Sequence, residues 1–239
     1  MISEATFCQH HSSLWRELTP AADLFVRRLN RGGYDRYARP MSAKTDPTRR
    51  AFINEIAFTL FGNSVIDKTE FGGAPLEKEI EQAVITARHL IIQIEGRDDG
   101  CKDDPSDDER ADFAQQYRRL RSFFLTDKSL DQLTINPVFR GCGIIDTCSG
   151  DIFVEDTLWE VKAGDREFRS IDIRQLITYA ALNYVARSYR IDRIGLFNPR
   201  VGIFFEVGLD ELCVEIGGMG SADMLAAVSY AISSGEISR

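Results

Sequence analysis

Residues 148–179 read CSGDIFVEDTLWEVKAGDREFRSIDIRQLITY, and the fold turns on this stretch. Two runs rich in β-branched and aromatic residues, 151–154 and 157–162, flank Glu155-Asp156, the pattern of two short strands joined by a hairpin. A two-residue turn there sets Val154 opposite Thr157, Phe153 opposite Leu158 and Asp151 opposite Glu160. Cross-strand partners share one face of a sheet, and Lys162, two residues beyond Glu160, joins that face by strand alternation. One short piece of chain is thereby expected to bring two carboxylates and an ammonium together at a sheet surface. Val161, between them, points the other way into a core.

Outward from the hairpin, residues 171–188 carry Ile173, Leu176, Ile177, Ala180 and Tyr184 at helical spacing. The runs RIGLFN and VGIFFEV, separated by Pro199-Arg200, read as strands, and a last helix covers about 221–234. Toward the N-terminus the pattern is helical up to about residue 134. A helix over 47–61 follows the Asp46-Pro47 cap signal and is expected to end at Gly62. Further helices are expected over 76–94 and 108–124, separated by the acidic run GRDDGCKDDPSDDER, which lacks the ligand spacing of an EF-hand and reads as an exposed loop. The expectation is an α/β fold: a core with a mixed β-sheet flanked by helices over 135–239, and a mainly helical N-terminal region over 1–134 that includes a first core helix at about 47–61.

With 44% hydrophobic and 28% charged residues the composition is that of a soluble globular protein. No apolar run approaches the roughly 20 residues that span a bilayer, and the first residues lack the basic flank of a signal peptide, which predicts a cytoplasmic protein with no membrane partner. The five cysteines are scattered without a CxxC pair, which argues against a disulfide framework, a zinc ribbon or an iron–sulfur cluster. The net charge of −8 argues against a protein that coats nucleic acid by bulk electrostatics. An acidic metal-binding cleft is compatible with it.

Two neighbouring carboxylates repel each other, and a hard divalent ion, Mg²⁺ or Mn²⁺, relieves that repulsion while retaining waters for reaction. On a phosphodiester such an ion polarises the phosphoryl oxygen and acidifies a bound water, and Lys162 can orient that water or stabilise the developing charge. No histidine or serine nucleophile is required, which suits a chain whose histidines are His10, His11 and His89, all outside this segment.

Asp151 followed by Glu160-Val161-Lys162 resembles the signature of the PD-(D/E)xK nuclease superfamily, with Gly150 in place of the usual proline before the aspartate. Gln175-Leu-Ile-Thr-Tyr179 resembles the QxxxY motif that follows ExK in its RecB-like and Cas4-like branch. Gln175 and Tyr179 lie four apart on one helix face, and Asp172 precedes Gln175 by three on the same side. The resemblance spans residues of about 138–207 and implies a restriction-endonuclease-like core. It also implies metal-dependent hydrolysis of phosphodiester bonds in DNA, with Asp151 and Glu160 on the metal, Lys162 catalytic, and Gln175 and Tyr179 positioning the strand and the lysine. A family helix ahead of the strands often supplies a further glutamate; Glu55 is the candidate here, with a surface glutamate as the alternative reading. Asp146 is the second choice for the Asp151 position, or a co-ligand. Arg166, Arg169 and Arg174 are candidates for phosphate contacts.

The chain carries no helicase motif, helix-turn-helix or zinc finger, so a protein partner or a homodimer is expected, in a restriction-like or anti-phage defence system. The alternative is a non-catalytic nucleic-acid-binding or assembly subunit that retains the nuclease fold.

Overall fold

The structure is a computed structural model that describes residues 1–42, 45–67, 75–96, 98–125 and 132–235. The chain opens with three short helices, α1 (Glu4–His10), α2 (Ser12–Leu18) and α3 (Ala22–Arg28), and a short strand β1 (Asp35–Arg36). Three longer helices follow: α4 (Arg50–Ile66), α5 (Glu77–Glu95) and α6 (Asp107–Leu125). Then come β2 (Leu133–Ile135), β3 (Val138–Phe139), β4 (Cys148–Ser149), β5 (Ile152–Val154) and β6 (Thr157–Val161). The chain continues through α7 (Ser170–Ala186), β7 (Arg193–Asn198), β8 (Ile203–Gly208), α8 (Leu209–Gly217) and α9 (Ser221–Ser234).

Among the described residues six strands form one mixed sheet in the order β1-β8-β7-β6-β5-β2, while β3 and β4 pair separately. Only β6 and β7 run parallel, joined by the α7 crossover; every other pair in the sheet is antiparallel. The β5–β6 register has Val154 opposite Thr157, Phe153 opposite Leu158 and Ile152 opposite Trp159, as the two-residue turn requires. Glu155 supplies the positive φ of 58° that such a tight hairpin turn needs.

Alternation along the central strands divides the apolar side chains between two cores. Leu158, Leu196 and Val207 face a core built with Phe7 and Trp15 from the first helices and with Leu176, Ile177, Leu212 and Val228. Trp159, Ile152, Val154 and Phe197 face a second core with Phe52, Ile56 and Phe61 of α4, Ala83 and Ala87 of α5, and Phe113, Tyr117 and Phe124 of α6. Both faces are thus covered, which is why the central strands read as nearly continuous apolar runs.

The expected division at residues 134/135 does not coincide with a break in packing. The strand β1 hydrogen-bonds to β8, and α1 and α3 pack on α7, so the N-terminal region contributes to the sheet and to both of its covering layers. The helix expected to stop at Gly62 runs on to Ile66. Gly62 serves there as a close-contact position, since a Cβ on it would stand 3.2 Å from the Ile135 side chain. The strands at 193–198 and 203–208 and the final helix lie where the sequence pattern places them, while α8 has no counterpart in that reading. Among the described residues no single helix is long and apolar enough to cross a membrane.

Candidate active site

The candidate site lies where β6 leaves the sheet. Because Leu158 faces the α7 core, Glu160 and Lys162 point to the same side, and both are held under the N-terminal half of α7. Glu160 is 4% exposed, and its Oε1 accepts a hydrogen bond from Lys162 Nζ at 2.8 Å. Lys162 Nζ also donates to Gln175 Oε1 at 2.8 Å, and Gln175 Nε2 donates to the Tyr179 hydroxyl at 2.8 Å. The spacing of four residues on α7 makes this continuous chain possible, since it stacks Gln175 and Tyr179 on one face of the helix. Tyr179 is in turn fixed by stacking on Phe139, with ring centroids 5.2 Å apart.

Asp151 lies one residue before β5, next to the paired segment. Its backbone carbonyl accepts from Asn136 N, and its Oδ2 accepts from Val161 N at 2.7 Å. The register thus carries Asp151 to the level of Glu160 and Val161, with its carboxylate anchored to the β6 backbone. Glu55, on α4, borders the same cleft of about 200 Å³ as Asp151, Val161, Asn54, Gln116 and Ala163. The helix expected to precede the strands therefore does bring its glutamate to the hairpin, across nearly a hundred residues of sequence.

The electrostatics are those of a crowded acidic centre. Burial, and then the Asp151 charge, push the Glu160 carboxyl up to about 8 despite the opposing pull of Lys162. Burial raises Asp151 as well, against the attraction of Lys162 and the Val161 N–H. Glu55 is raised by burial and by Asp151. Lys162 is held above the usual lysine range, because the charges of Glu160 and Asp151 outweigh the desolvation that would lower it. These groups feel one another as a set.

Whether a divalent ion fits can be asked of the carboxylates themselves. Glu160 Oε2 is buried without a hydrogen-bond partner, a costly arrangement unless a cation takes that lone pair. Among the described residues no three His, Cys, Asp or Glu side chains already form a closed ligand cage. Mg²⁺ does not demand one: it commonly takes one or two carboxylates and keeps its remaining waters. Glu160 and Asp151 fit that mode, with Glu55 beside Asp151.

Other expected residues lie elsewhere. Asp146 is exposed, with its backbone N–H bound to the carbonyl of Ile2, and it stands outside the cluster. Arg166 commits both terminal guanidinium nitrogens, Nη1 and Nη2, to Asp172 at 2.8 Å each. Asp172 also accepts from Arg169 N and so caps the first turn of α7. Arg174 lies over the Trp15 ring at 5.9 Å. Of the three arginines, Arg169 alone is exposed, at the start of α7.

Two features of the site were not visible in the sequence. Glu4 of α1 accepts from the Tyr179 hydroxyl at 3.4 Å. The loop after Lys162 is clamped from below: Asn54 Nδ2 and Arg200 Nε both donate to the Ala163 carbonyl, and Asn198 Nδ2 donates to that of Gly164. Arg200 is itself buried and paired with Asp112 at 2.8 Å, while Gln116 binds Asn54 and Asp112. A buried arginine two residues past a strand has no sequence signature, and neither does a glutamate whose partner is 175 residues away.

Comparison with known protein families, with curated proteins and with solved structures returned no match to this chain. The geometry of these side chains is therefore what bears on function.

Proposed function

We propose that the protein is a metal-dependent nuclease of the PD-(D/E)xK class that hydrolyses phosphodiester bonds, with DNA as the substrate the sequence resemblance implies. The observation that carries this reading is the hydrogen-bonded row Glu160–Lys162–Gln175 beside the Asp151 carboxylate, because it unites the D…ExK and QxxxY residues in one place.

In this reading Asp151 and Glu160 hold a Mg²⁺ or Mn²⁺ ion, with Glu55 as a further carboxylate within the same cleft. The ion, when bound, supplies polarisation of the phosphoryl oxygen and a more acidic water for in-line attack. Lys162 faces the charge that develops on the phosphorus oxygens, and it is protonated for that task. Gln175 holds the ammonium in one direction, so the lysine need not be ordered during reaction. Arg169, exposed at the start of α7, is the arginine free to meet a phosphate. A protein partner or a second copy of the chain would supply recognition of the substrate.

Incubation of the purified protein with plasmid, linear and single-stranded DNA, with Mg²⁺ or Mn²⁺ against EDTA, tests the reading. Cleavage should require metal and be abolished by Glu160→Ala and by Lys162→Ala with the fold intact. Metal-independent cleavage, or variants that cut like the parent, would remove the assignment.

A further inference from the structure

The polar row that begins at Glu160 does not end at Tyr179, and its direction is set by simple donor counting. A lysine ammonium can only donate, so Gln175 must turn its amide oxygen toward Lys162. Its NH₂ group is then committed to the other side, where it donates to the Tyr179 oxygen at 2.8 Å. The tyrosine has a single proton, and with its oxygen receiving that donation the proton must go onward to an acceptor. Glu4 is that acceptor, at 3.4 Å. Burial and the surrounding carboxylates hold the Tyr179 hydroxyl well above its usual range, so the proton is there to be given.

Glu4 is also well placed to stay in position. It is the first residue of α1, whose N-cap Ser3 accepts from Thr6 N. The helix is pinned by buried Phe7 and Cys8, the latter within 3.3 Å of the Thr178 hydroxyl on α7, next to Tyr179. Upstream, Ile2 exchanges backbone hydrogen bonds with Ile144 and Asp146.

We propose that Glu4 is a positioning residue of the active site: by taking the Tyr179 proton it fixes the direction of the hydrogen-bond row and so keeps the Gln175 amide oxygen on Lys162. This inference rests on the nuclease reading for its catalytic consequence. Without an acceptor at residue 4, the tyrosine proton has no place on the far side, and the amide is free to reverse and set its NH₂ against the ammonium. The helix α1, packed on α7 in the same core, thereby reaches the candidate centre through Tyr179.

The test compares Glu4→Ala, Glu4→Gln, Tyr179→Phe and the double variant Glu4→Ala/Tyr179→Phe in the full chain. Solvent exchange of the Gln175 side-chain amide protons, followed by NMR without metal, should be about tenfold faster in Glu4→Ala and close to the parent in Glu4→Gln, whose amide oxygen still accepts. With Mg²⁺, Glu4→Ala should lower kcat by about tenfold or more and leave KM within about twofold, because the lysine is displaced and substrate binding is not. In the Tyr179→Phe background the Glu4→Ala change should add nothing to either measurement. Parent-like exchange in Glu4→Ala, or an equal added loss in the Tyr179→Phe background, overturns the proposal. Should the parent cut no nucleic acid, the nuclease reading falls, and amide exchange alone still decides the role of Glu4.

Discussion

Lys162 and Gln175, thirteen residues apart on a strand and a helix, meet through a 2.8 Å hydrogen bond in which the ammonium donates to the amide oxygen. The bond fixes the lysine in a position where Glu160 alone would leave it free to swing. Gln175→Ala is therefore expected to lower kcat of DNA cleavage by roughly 10- to 100-fold with little change in KM. Steady-state kinetics check this, and an unchanged kcat would separate the glutamine from the reaction.

Glu160 makes metal-free stability depend on pH. In the folded chain its carboxyl keeps a proton until about pH 8, whereas its ordinary value is 4.5. Between those limits the folded state binds more protons than the unfolded state, so its contribution is present at low pH and is lost as pH rises. Urea unfolding in EDTA should show parent stability falling from pH 5 to pH 8 relative to Glu160→Gln, by on the order of a few kcal/mol. Equal slopes in parent and variant would contradict the burial of this carboxylate. Added Mg²⁺ should reverse the trend, since the ion binds the ionised form.

The loop after Lys162 depends on a buried charge pair. Arg200 and Asp112 are 2% and 3% exposed at their side chains and lie 2.8 Å apart. Arg200→Met removes the cation and leaves Asp112 without it, an expected loss of about 3–5 kcal/mol by chemical denaturation. Exchanging both residues for apolar ones of similar volume should cost much less than the single change. A single variant as stable as the parent would show the pair to be solvated.

Gly195 lies opposite Trp159 in the β6–β7 register, and the indole covers it. A Cβ at residue 195 would stand 2.3–2.6 Å from three atoms of that ring. Gly195→Ala should destabilise by about 2 kcal/mol or more, because both strands sit in the middle of the sheet and neither can withdraw. Replacing Trp159 with Leu in that background should recover part of the loss, as measured by thermal unfolding.

What the sequence could tell about this fold followed from how local the determining physics is. The hairpin register needed only the two-residue turn at Glu155-Asp156, and the Val154–Thr157 and Phe153–Leu158 pairs it dictates are found, whereas Asp151 lies just outside the paired segment and is tied to β6 by its carboxylate on Val161 N. The juxtaposition of Gln175 with Lys162 needed only a helix after the strand. Glu55 was nameable as a helix residue, but its approach to Asp151 depends on how α4 packs across the sheet, which no local pattern encodes. The phosphate role expected for Arg166 missed its capture by Asp172, because the loop between them bends back on the first turn of α7. The division into two regions missed contacts of long range: β1 and the first helices join the same sheet and core as β8 and α7.

That closure of the sheet has a consequence in time. Chains are made from the N-terminus at about 5–20 residues per second, so Glu4 waits roughly ten to thirty-five seconds for Tyr179 to follow it. The edge strand β1 waits nearly as long for β8. Through that interval the parts of the candidate site exist on one nascent chain without meeting. Any activity that needs the whole hydrogen-bonded row is therefore completed late, only after residue 179 has joined the chain.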